Sequence, residues 1–177
     1  EKQKLNNELI LKSIDNFMQV NSEVINIMAT SMTGKIKKKQ LQQVHRENKN
    51  ITNIYFADQT GGMTLVPEQR LPEDFDPHQR SWYQKAVKYE GIIWTDVYED
   101  AATERPMVTV AQRVEDETGK ILGVLGADMT LAQLSELMVR YQDNENYPFI
   151  TDENGITIAH PVTKNLGVNV KNIRGFA

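Results

Sequence analysis

The chain contains no cysteine among its 177 residues. That excludes disulfide staples and thiolate metal sites, and it suits an oxidising compartment without requiring one. No run approaches the roughly 18 consecutive apolar residues of a membrane helix. The N-terminus also lacks the succession of charge, apolar stretch and small residues of a secretory signal, so any membrane anchor is expected outside these residues. An excess of positive charge is missing as well. Twenty Lys and Arg against 24 Asp and Glu give a net charge of -4, which removes the broad electropositive field that nucleic acid demands. The single basic run, Lys35, Lys37, Lys38 and Lys39, reads as a solvated helix end. Catalytic signatures are wanting too. There is no glycine-flanked serine elbow, no phosphate-cradling glycine loop, and no pair among His45, His78 and His160 at metal-ligand spacing. No catalytic residue, metal ligand or cofactor is expected.

What is present is an ordinary globular composition, 40% hydrophobic and 25% charged, on a chain long enough for one complete core. From Leu5 to Met32 neither proline nor glycine occurs, and Ile10, Leu11, Ile14, Phe17, Met18, Val24, Ile25 and Met28 fall at helical spacing. This stripe is wider than a two-position coiled-coil seam, so the helix is expected to pack on its own domain and can also face a partner helix. Gly34 is a natural stop. A short helical segment, about 37–48, precedes the run 53–57, the turn Asp58-Gln59-Thr60-Gly61-Gly62 and the run 63–66, which together read as a hairpin. The same motif starts again at 147–151, Asp152-Glu153-Asn154-Gly155 and 156–159. Between them lie strands at 106–114 and 120–130 and a helix at about 131–141.

These elements predict an α+β fold: a long N-terminal helix packed on a PAS-like antiparallel sheet module, followed by the start of a second, incomplete PAS-like module. The corresponding segments are 1–36, 37–145 and 146–177, the last too short to enclose a core by itself.

Three stretches could carry chemistry. In Asp76-Pro77-His78-Gln79-Arg80-Ser81-Trp82-Tyr83, Ser81 and Gln84 are spaced as a capping box, so a helix is predicted at about 82–89 with Arg80 just outside it. A guanidinium fork with an indole N–H and a phenol beside it suits a carboxylate. Equally, Arg80 can pair with Asp76 while Trp82 and Tyr83 fill the core. In Gly123-Val124-Leu125-Gly126-Ala127-Asp128, alternation puts Asp128 on the face of Leu122 and Val124. A carboxylate buried there needs a cation, donors or water. Gly126 leaves room beside it for a ligand ammonium, whereas the plainer role for Asp128 is to cap the helix that follows. Tyr98, in an aromatic and acidic stretch with Trp94, can wall a pocket or meet a cation through its ring.

Taken in order, the long helix, the Asp58 hairpin, the Asp76-Pro77-x-x-Arg80-x-Trp82-Tyr83-x-x-Ala86 block, Tyr98-x-Asp100 and Gly123-Val124-x-Gly126-x-Asp128 resemble the double Cache family. Its members are extracytoplasmic sensors in methyl-accepting chemotaxis receptors and sensor histidine kinases. The resemblance implies a non-enzymatic sensor domain, anchored in the cell membrane through segments outside this chain and dimerising through the N-terminal helix. It further implies an amino acid or small carboxylate as ligand, with Arg80, Trp82 and Tyr83 at the carboxylate, Asp128 at the amine and Tyr98 as a pocket aromatic. Phe75 stands where the family set has a tyrosine, and Thr103-Glu104 where such sensors often have Thr-Gly. The alternatives are a kinase or cyclase sensor for another small ligand, or a ligand-free spacer that only dimerises.

Overall fold

The computed structural model describes residues 2–31, 36–142 and 147–173. In chain order the elements are α1 (Lys2–Ser31), α2 (Lys38–Glu47), β1 (Asn53–Asp58), β2 (Met63–Val66), α3 (Ser81–Lys88), β3 (Ile93–Trp94), β4 (Tyr98–Glu99), β5 (Pro106–Glu115), β6 (Ile121–Thr130), α4 (Leu131–Val139), β7 (Ile150–Thr151) and β8 (Thr157–Ala159). The fold is α+β, a long N-terminal helix with an antiparallel sheet. Gly34, the expected stop of α1, lies outside the described residues.

Packing divides the chain into two compact units, residues 20–129 and residues 1–19 with 130–177. This division cuts α1 in two and so differs from the segments drawn on sequence pattern, because each half of one helix buries its apolar residues in a different core. In the first unit the strand order is β2-β1-β6-β5-β3, with β4 pairing β5 as well. β1 is buried on both faces: Ile54, Tyr55, Phe56 and Ala57 are all buried, so it reads as a continuous apolar run instead of an alternating one. On one face Tyr55, Ala57, Ala111 and Val124 pack with Trp82, Tyr83 and Ala86, whose spacing gives α3 a single inward side. Ile25 and Met28 of α1 are buried within the same unit, and Trp94 Nε1 donates to Ser22 Oγ at 3.0 Å.

One turn recurs three times. At Asp58, Asp116 and Asp152 the aspartate N–H bonds the carbonyl four residues on, at 2.9 Å in each case. Its Oδ1 accepts from the N–H groups two and four residues on, at 2.8–3.1 Å. The glycine three residues on, Gly61, Gly119 or Gly155, has φ of 89°, 81° or 78°, left-handed values that an L side chain resists. The repeat seen in the sequence at Asp58 and Asp152 is thus a property of the turn, and the central hairpin shares it.

In the second unit Ile10, Met138 and Ala159 form a small core with Ile14, Leu134, Leu137, Tyr141 and Ile150 against it. Ser13 Oγ and the Tyr141 hydroxyl lie 2.7 Å apart. β7 and β8 pair antiparallel, and the strand expected over 147–151 is confined to Ile150–Thr151.

Candidate functional site

The turn that carries Arg80 is built by Asp76 and Pro77. Asp76 Oδ1 accepts from the His78 N–H at 2.9 Å, Pro77 opens a single 3-10 turn, and the Arg80 N–H closes it on the Pro77 carbonyl at 3.0 Å. Arg80, with φ -83° and ψ 140°, is then the N-cap residue of α3. The expected Ser81–Gln84 capping box does not form. Ser81 already lies inside the helix, and Gln84 Nε2 reaches back to the His78 carbonyl at 3.1 Å. The alternative pairing of Arg80 with Asp76 is not adopted either: the Asp76 carboxylate meets His78 Nδ1 at 2.9 Å, and the His78 N–H holds its pKa below the usual value. Arg80 instead donates from Nη2 to the Glu99 carbonyl at 2.9 Å. Its Cζ lies 5.6 Å from the Tyr98 ring centroid and 6.0 Å from that of Phe75. Among the described residues it makes no ion pair.

Asp128 sits at the other end, on β6, where the register with β1 places it opposite Asn53 and places Gly126 opposite Tyr55. The room beside Gly126 is not left for a ligand. The Tyr55 ring fills it, so close that a Cβ on residue 126 would stand 2.6 Å from Tyr55 Cε2. Tyr55 can therefore lie along the strand and donate its hydroxyl to Asp128 Oδ1 at 2.7 Å. The same oxygen is 2.7 Å from Thr109 Oγ1 and 3.1 Å from the Tyr98 hydroxyl, which are themselves 2.7 Å apart. Each hydroxyl has one hydrogen, so two of these three contacts are hydrogen bonds at any moment. Oδ2 is far less engaged, with only Asn53 Nδ2 at 3.4 Å among the described residues.

Asp128 is 3% exposed. Burial pushes its pKa up to about 6, against the pull of the Thr109, Tyr55, Tyr98 and Asn53 donors. Burial and the Asp128 charge raise the Tyr55 and Tyr98 phenols, which therefore stay protonated as donors. Capping of α4, the plainer role considered for Asp128, falls to Thr130, which forms a reciprocal box with Gln133.

Both ends open on one cavity with about 330 Å³ of empty space, part of it open solvent. Phe75, Arg80, Trp82, Tyr98 and Asp128 all line it. Tyr83 is not among the lining residues; it packs edge-on to His78 and Trp82, and burial together with Asp58 and Asp76 raises its pKa. Trp82 lies 4.7 Å, ring to ring, from Tyr55, and its indole N–H has no hydrogen-bond partner among the described residues. Asp100, of the Tyr98-x-Asp100 motif, lines the cavity as well; Asn53, Tyr55 and Gln69 also line it and were not singled out in the sequence, nor was the support from Thr109. Alternation puts Thr109 and Ala111 on one face of β5, but only the register of β1, β6 and β5 shows that Asp128 shares it. Among the described residues no group of His, Asp and Glu is arranged to hold a metal ion.

Methyl-accepting chemotaxis protein McpB of Bacillus subtilis is 34% identical over 114 residues, covering 64% of this chain and 17% of its own. PscA of Pseudomonas syringae, a second methyl-accepting chemotaxis protein, is 27% identical over 169 residues, 92% of this chain and 26% of its own. The chain thus spans about a sixth to a quarter of the length of these relatives. Among solved structures, the ligand-binding domain of the Pseudomonas aeruginosa amino acid chemoreceptor PctC, in complex with GABA, superposes with a TM-score of 0.80 at 22% identity over 96% of this chain and 80% of that one. That of the Pseudomonas fluorescens chemoreceptor CtaA, in complex with L-isoleucine, gives 0.77 at 24% identity over 96% and 72%. These neighbours share the fold, and neither they nor the sequence relatives are enzymes. The family model of the Cache domain matches residues 2–176, and the chain belongs to that family.

Proposed function

We propose that this chain is the extracytoplasmic ligand-binding domain of a membrane chemotaxis receptor, and that the cavity between Arg80 and Asp128 takes a free α-amino acid. The observation that carries this reading is one cavity that presents a guanidinium without a carboxylate partner and a buried carboxylate without a cation, with Asp100 as a further carboxylate on its wall. Arg80 has no carboxylate partner among the described residues and Asp128 no cation. A zwitterion supplies both, its carboxylate to the guanidinium and the free Trp82 indole N–H, its ammonium to Asp128 Oδ2 and the ring of Tyr98. Each charge-assisted bond is worth about 1.5–3 kcal/mol, against an association cost of at least ~4 kcal/mol, so four or five such bonds give micromolar affinity. The relatives are chemotaxis proteins, and the named structural neighbours hold amino-acid ligands. Among the described residues no helix is long and apolar enough to cross a membrane.

In this reading residues 146–177 begin a membrane-proximal module, and α1 joins two copies of the domain. Tyr83 supports the Trp82 ring from behind. A thermal-shift screen with an amino-acid panel tests the proposal: a ligand at 100 times its Kd adds about 2.7 kcal/mol of stability. Failure of every amino acid to raise the melting temperature would leave the ligand-free spacer as the better account.

A further inference from the structure

The charged ends of the cavity meet what all α-amino acids share, and the rest of its wall meets what differs among them. That wall is hydrocarbon. Met63 and Leu65 alternate along β2 and both reach the cavity, and the segment after the strand adds Leu71 and Phe75. The polar groups between them are partly engaged with one another and with the chain. Gln69 Nε2 donates to Asn53 Oδ1 at 2.7 Å, and Asp100 Oδ2 accepts from the Thr103 N–H and hydroxyl at 2.8 and 2.6 Å. A ligand side chain entering here gains mainly from burial of carbon.

Charge points the same way. Asp100 and Asp128 face one guanidinium, so the cavity is short of positive charge before a ligand arrives. A zwitterion leaves that balance unchanged, whereas an acidic side chain would add a third carboxylate with no cation to meet it.

We infer that the site selects α-amino acids with uncharged aliphatic side chains, valine, isoleucine and leucine, and rejects aspartate and glutamate, with Met63, Leu65, Leu71 and Phe75 as the side-chain subsite. This rests on the amino-acid reading of the cavity. Calorimetry on the unaltered protein with alanine, valine, leucine, isoleucine, lysine, aspartate and glutamate tests it. Affinity should rise about fourfold for each further carbon buried between alanine and leucine, with no heat from the acidic pair. In Leu71→Ala, whose melting temperature is read alongside, the leucine-to-alanine affinity ratio should fall several-fold.

Tighter binding of glutamate, aspartate or lysine than of leucine by the unaltered protein overturns the subsite and leaves the zwitterion site standing. Absence of binding by any amino acid overturns both. An unchanged ratio in folded Leu71→Ala shows that the selectivity is set elsewhere.

Discussion

The two charged ends of the cavity are built in opposite ways. Asp128 lies in the middle of a sheet, almost fully buried, its carboxylate fixed by hydroxyls from three different strands. Arg80 sits where a 3-10 turn meets α3, half-exposed, held by one carbonyl and flanked by two aromatic rings. Desolvation has already been borne at the acid end, which is why its pKa is raised, while the basic end keeps contact with water. A buried, preorganised acid discriminates sharply between a cation and anything else. A solvent-side guanidinium attracts and orients a carboxylate at less cost to the fold.

If this contrast is right, loss of the acid should weaken binding more than loss of the base. Asp128→Asn keeps the shape but removes the charge from a dry site, and amino-acid affinity should fall by about 2–4 kcal/mol, or ~30- to 1,000-fold, by calorimetry. The ligand-free variant should be at least as stable as the parent at pH 7, because an ionised Asp128 is a burden there. Its raised pKa makes its contribution fullest below the unfolded value near 4, and that contribution is lost as pH rises through about 6. Arg80→Ala should cost about 1.5–3 kcal/mol of affinity, ~10- to 100-fold, with a melting temperature within about 2 °C of the parent. Equal losses at the two ends, or a collapse of stability in Asp128→Asn, would break the contrast.

A milder probe acts on the acid end alone. The ammonium binds the carboxylate form, and with a pKa of about 6 only about a tenth of Asp128 is ionised at pH 5. Affinity at pH 5 should be about tenfold weaker than at pH 7, with proton release on binding. In Asp128→Asn that pH dependence should vanish, and in Arg80→Ala it should persist.

The sequence made one end more legible than the other. Arg80, Trp82 and Phe75 lie within eight residues, so their cluster could be seen directly, though the details of the helix start could not. The Asp128 end is assembled by register across β1, β6 and β5. Tyr55 and Thr109 are separated from it by 73 and 19 residues, and no local pattern marks them. Gly126 was read correctly as a clearance, but its occupant is the Tyr55 ring. Tyr83 misled for the converse reason: adjacency to Trp82 on a helix turns the next side chain about 100° away. The strands β3 and β4, two residues each, were too short to carry a period.

The smallest effect tests what holds the basic end. The Glu99 carbonyl that receives Arg80 belongs to β4, and the turn after it bonds the Asp100 N–H to the Arg105 carbonyl and the Glu104 N–H to the Asp100 carbonyl. Glu104 has φ 56°, the left-handed region, and is the one non-glycine residue with positive φ among those described. A glutamate there costs about 1–2 kcal/mol, part of which glycine returns through its greater freedom in the unfolded chain. Glu104→Gly should therefore stabilise the domain by about 0.5–1 kcal/mol, raising the melting temperature by roughly 2 °C. Amino-acid affinity should stay within about twofold, because Glu104 itself does not line the cavity. A larger gain in affinity would mean that strain in this turn displaces Arg80, and that the basic end is less well set than its hydrogen bond implies.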